Sequence, residues 1–97
     1  MSILVERRKS YARLIREYLS HPGDPDEWAE RFYREARTER WPLPFDPELA
    51  DALIAIESDY DSLDPSARFD DEEQDIMCEL TFRERLRENL RIIESRL

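Results

Sequence analysis

Asp-Pro recurs at Asp24-Pro25, Asp46-Pro47 and Asp64-Pro65, and these prolines constrain where the chain can be regular. A proline inside a helix removes a backbone donor and clashes with the turn before it, at a cost of about 3 kcal/mol. At the first helical position the missing N–H would have had no partner anyway, and an aspartate just before it offers the N-cap acceptor. The first two pairs therefore read as helix starts, with Glu27 placed to complete a capping box behind Asp24. The third pair, inside the stretch Asp61 to Arg68, reads as a turn or a single new helical turn.

The segments between these starts have helical period. Tyr11, Leu14, Ile15, Tyr18 and Leu19 fall on one face, extended by Ile3 and Leu4, which predicts a first helix over 3–20. His21-Pro22-Gly23 breaks it. A second helix carries Trp28, Ala29, Phe32, Tyr33 and Ala36 inward and ends near Arg40, because Trp41-Pro42-Leu43-Pro44 cannot continue it. Arg34, Arg37 and Arg40 lie where the helix dipole favours cations, and Trp41 and Phe45 are placed to cover one end of the fold. The third helix uses Leu49, Ala52, Leu53, Ile56 and Tyr60 and frays near Tyr60. Asp70 or Asp71 then caps a long final segment. Its apolar positions are Ile76, Met77 and Leu80, then, after a phase change, Phe82, Leu86, Leu90, Ile93 and Leu97. Thr81 with Glu84 is a further capping-box pattern, so the last helix is either continuous or broken near Thr81. With one glycine in 97 residues and little β-branched alternation, the expectation is an all-α antiparallel four-helix bundle forming one domain.

Composition narrows the chemistry. One cysteine, Cys78, and one histidine, His21, can supply neither a disulfide framework nor a Cys/His zinc site, and a di-iron bundle needs two Glu-x-x-His pairs. Asp59, Asp61 and Asp64 lack calcium-loop spacing: Leu63 falls at a ligand position, and Asp64 falls where the loop needs glycine. His21 reads as a linker residue and Cys78 as a small buried hydrophobe, so no cofactor, no metal and no enzymatic activity are expected. The aromatics on the inward stripes read as core. The absence of a leader-like or membrane-length apolar run points to a cytoplasmic chain.

Charge is the feature that core packing does not absorb. Glu57, Asp59, Asp61, Asp64, Asp70, Asp71, Glu72, Glu73 and Asp75 place nine carboxylates in nineteen residues with only Arg68 opposing them, which accounts for -8 of the net -9. Capping accounts for part of the Asp70 to Glu73 group. Glu57, Asp59, Asp61 and Asp64 fall at a helix C-terminus, where the dipole disfavours negative charge. A local field of one sign suits a basic partner and opposes binding to nucleic acid. Arg83, Arg85, Arg87, Arg91 and Arg96 do not reverse this, because Glu84, Glu88 and Glu94 interleave with them as i, i+3 surface pairs.

The segment Trp28 to Arg40, followed by Leu49 to Arg68 with its apolar helix running into Glu57 and an Asp/Pro-rich turn, resembles the immunity proteins of the colicin D type. The resemblance covers roughly 14–73; the segment 75–82 departs from it as extra length, and the last helix is longer. It implies a small acidic helical bundle that blocks a tRNA-cleaving nuclease toxin. Carried over by residue match, it places Glu57, Asp59, Asp61 and Asp64 against the basic active site, with Asp70, Asp71, Glu72, Glu73 and Asp75 as an acidic rim. Tyr60, embedded among the acids, is the candidate hot-spot anchor. The expectation is a monomer with a basic protein partner, no membrane and no direct nucleic acid. The alternatives are another nucleic-acid mimic acting on a defence nuclease, a helical subunit of a larger complex, and, most remotely, a small enzyme.

Overall fold

Capping chemistry begins the second and third helices where the Asp-Pro pairs stand. The computed structural model describes residues 3–21, 23–38, 46–95 and 97. Its elements are α1 (Ile3–Ser20), α2 (Pro25–Thr38), α3 (Pro47–Ser62) and α4 (Glu79–Glu94), and the remaining backbone pairing among the described residues is two isolated bridges. Asp24 accepts the Asp26 N–H at 2.9 Å, and Asp46 accepts the Leu49 N–H at 3.2 Å, each with proline at the first helical position. Several expectations lie outside the described residues: those on Pro22, residues 40–45, Arg96, and the side chains of Ile3, Leu4, Ala36 and Arg37.

The apolar stripes meet in one core drawn from all four helices. Tyr11, Leu14, Ile15 and Tyr18 of α1 are buried with Trp28, Ala29 and Phe32 of α2, Leu49, Ala52 and Ile56 of α3, and Phe82, Leu86, Leu90 and Ile93 of α4. Each fully buried Leu, Ile or Phe side chain stabilises the fold by about 1.5–3 kcal/mol. Trp28 sits at the middle of an aromatic chain, with ring centroids 5.2 Å from Tyr18, 5.0 Å from Phe32 and 6.1 Å from Phe82. Its indole N–H donates to the Leu14 carbonyl at 2.9 Å, which satisfies the one polar atom such burial would strand.

Among the described residues, Arg8, Asp46 and Asn89 are the polar side chains buried with these apolar groups, and Asn89 donates to the Arg85 carbonyl at 3.0 Å. Arg8 is only 1% exposed. Its guanidinium grips Asp46 in a two-point pair at 2.7 and 2.8 Å, while Nη1 donates to the Ile92 and Ile93 carbonyls at 3.0 and 3.1 Å. One side chain thus joins α1, the N-cap of α3 and the carbonyl end of α4, where a cation is favoured. The Asp46 hydrogen bond holds the Arg8 pKa above its ordinary value. Cys78 is buried at the N-cap position of α4 without a capping bond from its own side chain.

The final helix is shorter than the sequence predicts. Residues 70–77 are not helical, and α4 starts at Glu79. Thr81 is therefore the third residue of α4 and not its cap. Ile76 and Met77 are apolar for another reason, since both pair through their backbones with the loop and with the end of α3. Asp75 has φ 54°, a left-handed conformation that Asp tolerates and a helix cannot pass through.

Candidate partner-binding surface

Helix α3 extends to Ser62, so Glu57, Asp59 and Asp61 occupy its final turns, and no basic residue accompanies them in the last turn. Leu63 ends the helix with its N–H on the Tyr60 carbonyl at 3.1 Å. Asp64 then closes the Asp-Pro turn: its carboxylate accepts the Ser66 N–H at 3.0 Å and the Ser66 hydroxyl at 2.6 Å. These bonds from Ser66 lower the Asp64 pKa.

The second half of the acidic segment folds into a small hairpin. Asp71 and Ile76 exchange both backbone hydrogen bonds at 2.8 Å, and the Asp71 carboxylate accepts the Glu73 and Gln74 N–H groups inside the turn. The hairpin is fastened to α3: the Met77 N–H donates to the Ser62 carbonyl at 2.8 Å, the Asp64 N–H to the Met77 carbonyl at 2.9 Å, and the Ser62 hydroxyl to Asp75 at 2.9 Å. It is fastened to α4 by Asp70. One of its carboxylate oxygens accepts the Cys78 N–H at 2.9 Å, and the other accepts the Thr81 hydroxyl at 2.8 Å. A carboxylate eight residues upstream thereby supplies the cap that Cys78 lacks. The Cys78 N–H bond, with Thr81 second, holds the Asp70 pKa below the usual carboxylate range. Capping accounts for Asp70 alone in this group, since Asp71 caps its own turn and Glu72 and Glu73 lie exposed beyond it.

The carboxylates are not equivalent. Glu57, Asp61, Asp70, Glu72, Glu73 and Asp75 are exposed, whereas Asp59, Asp64 and Asp71 are half-buried. Asp59 faces α4 and pairs with Arg85 at 3.7 Å, and among the described residues Arg85 makes its ion pair there and not with Glu88. Burial raises the Asp59 pKa, against the opposing pull of Arg85. Arg85 also lines a cavity of about 150 Å³ with Asp70, Asp71, Glu72 and Asp75. Glu57 and Asp61 lie toward α2, where their charges act on Tyr33, whose hydroxyl pKa is pushed up to about 12 by burial first and by these two acids second. Among the described residues, no group of three or more His, Cys, Asp or Glu side chains is arranged to hold a metal.

Tyr60 is committed to the fold. Its ring lies 5.9 Å from Tyr33 and 6.4 Å from Phe82, and its hydroxyl donates to Asp26 on α2. That bond, followed by burial, pushes its pKa up to about 12. Among the described residues, the aromatic left in solvent is Phe69, which is 82% exposed. Its sequence signal is weak, an aromatic between Arg68 and Asp70 that belongs to no helical stripe. No family model, curated protein or solved structure matches the chain. No helix among the described residues is long and apolar enough to cross a membrane.

Proposed function

We propose that this chain is a non-enzymatic inhibitor of the immunity-protein kind, a monomeric cytoplasmic protein whose acidic end occupies the basic active site of a cognate nuclease toxin. Its carboxylates stand where nucleic-acid phosphates would bind, and inhibition is by occupancy. The observation that carries this reading is that the acidic segment is built and held. Hydrogen bonds to α3 and α4 fix the hairpin, yet six carboxylates face solvent, while Arg85 is paired with the half-buried Asp59 and Arg68 is the one base within the segment. Concentrating like charge works against folding, so retaining it on an ordered scaffold fits an external partner of opposite sign. Such a field steers association toward about 10⁸ M⁻¹s⁻¹ at low salt.

An antiparallel arrangement of the helices belongs to the same reading. It is supported by contacts that descend α1 from Arg8 to Tyr18 while moving back along α4 from Ile92 to Glu79.

The test starts with retention of host proteins on the immobilised chain, followed by a tRNA-cleavage assay of the purified captured protein. A basic nuclease, released by salt and silenced at equimolar inhibitor, is the expected result. Changing Glu57, Asp61, Glu72 and Glu73 together to Lys abolishes inhibition with helical circular dichroism unchanged. These four are exposed and outside the turn-capping and clamp contacts of Asp64, Asp70 and Asp71, so they report on the surface and not on the fold. Full inhibition by that variant, or capture only of acidic or neutral proteins, overturns the reading.

A further inference from the structure

Among the described residues, the large apolar side chains most open to solvent are Phe69, 82% exposed, and Leu80, 67% exposed, with Ile54 close behind on α3. Phe69 and Leu80 are the chain neighbours of Asp70 and Thr81, the two residues joined by the 2.8 Å clamp. Single exposed apolar residues are ordinary on protein surfaces. Here each member of a hydrogen-bonded clamp has such a residue as its chain neighbour, Phe69 inside the segment that holds most of the net charge and Leu80 in the first turn of α4. Neither is needed by the core, since α4 turns Phe82, Leu86, Leu90 and Ile93 inward instead.

We propose that Phe69, with Leu80 beside the same clamp, is the apolar anchor of the acidic surface, and that it enters an apolar recess bordered by Lys and Arg on a basic protein. The assignment rests on the inhibitor reading above and names the contact that gives it affinity. Charge sets approach rate and register, whereas binding energy concentrates in a few desolvated side chains, aromatic ones above all, ringed by polar groups. Phe69 has that setting, with Asp70, Glu72, Glu73 and Asp75 exposed around the hairpin. The backbone beside its ring is held by Asp70 on Cys78 and Thr81. Charge selects the occupant: a second copy would bring another acidic hairpin against this one, and anionic lipid would be repelled in the same way.

Two measurements test the anchor. In the first, Phe69→p-benzoylphenylalanine is photo-crosslinked in host cells, with the same substitution at Ile54 as the exposed control away from the hairpin. A position-69 adduct with a basic protein, attached at an apolar peptide flanked by Lys or Arg, is the expected result. An adduct with a second copy of this chain or with an acidic protein, or no adduct beyond the Ile54 control, overturns the anchor. In the second, affinity for the captured nuclease is measured against salt. Phe69→Ser weakens it roughly 30-fold or more with an unchanged salt slope, and Phe69→Trp restores most of the loss. Wild-type affinity in Phe69→Ser, with binding still lost in the four-lysine variant, overturns the anchor and leaves the inhibitor reading standing. Wild-type affinity in both variants overturns both. Because Phe69 lies in solvent, the serine variant melts as the parent does, so lost affinity is not lost folding.

Discussion

Arg8 keeps a full charge where water is excluded, compensated chiefly by the buried Asp46 and, at 3.5 Å, by the more exposed Glu48. Removing one member of a buried ion pair takes away the main compensation of the other, at a cost of about 3–5 kcal/mol. Against a total stability of roughly 5–15 kcal/mol for a domain of this size, Arg8→Met should lower the urea midpoint sharply. Adding Asp46→Asn, which keeps an acceptor for the Leu49 N–H while removing the buried charge that Arg8 faced, should recover part of the loss. Nothing in the sequence marks Arg8 apart from its neighbours Arg7 and Lys9; its role depends on Asp46, thirty-eight residues away. The tyrosines make a second prediction. Tyr33 and Tyr60 ionise near 12 in the folded protein and near 10 in the unfolded chain, so the protonated forms belong to the native state. Their stabilising contribution is full below about pH 10 and declines as pH rises toward 12, which phenolate absorbance and unfolding followed together would register.

The start of α4 depends on a carboxylate outside the helix. Asp70 has a folded pKa below its ordinary 3.8, so its contribution is present above that value and is lost as acid protonates the native carboxylate. Asp59, raised by burial, has the opposite sign: it contributes below 3.8, and that contribution declines as pH rises through its folded value. Asp70→Asn should therefore remove a component of acid unfolding, and Asp59→Asn should remove one that opposes it, as read from denaturant midpoints across the acid range. Asp70→Ala should also increase amide exchange at Cys78, whose N–H would lose its acceptor. Helix starts were legible at α2 and α3 because the cap and the proline are adjacent in sequence, and α1 matches its predicted span of 3–20. The start of α4 was not, because its cap arrives from eight residues upstream, and Ile76 and Met77 imitate a helical stripe while serving as backbone partners for the hairpin and the end of α3. The location of the acidic surface was legible from charge alone. Which aromatic beside it is open to solvent was not: Tyr60 fits the stripe of α3 and is packed against Tyr33, whereas Phe69, 82% exposed, lies in a segment without period, where exposure leaves no pattern.

At the scale of the whole molecule, -8 of the net -9 is concentrated on the end of α3 and the hairpin bound to it, where the folded chain repels itself. Salt should therefore stabilise the free protein. Moving from ~0.01 M to ~0.15 M shortens the screening length from ~30 to ~8 Å, and the melting temperature should rise, while the four-lysine variant responds weakly or in the opposite sense. The same addition of salt should weaken the complex with a basic nuclease, so stability and affinity move in opposite directions with one variable. The Arg8 bonds to Ile92 and Ile93 span eighty-four and eighty-five positions of chain. Closing so long a loop is entropically late work, deferred until local contacts have formed. Arg8 should then lie outside the folding nucleus, so that its loss accelerates unfolding and leaves the refolding rate nearly unchanged. The guanidinium would act as a latch that closes last and governs how long the native state survives.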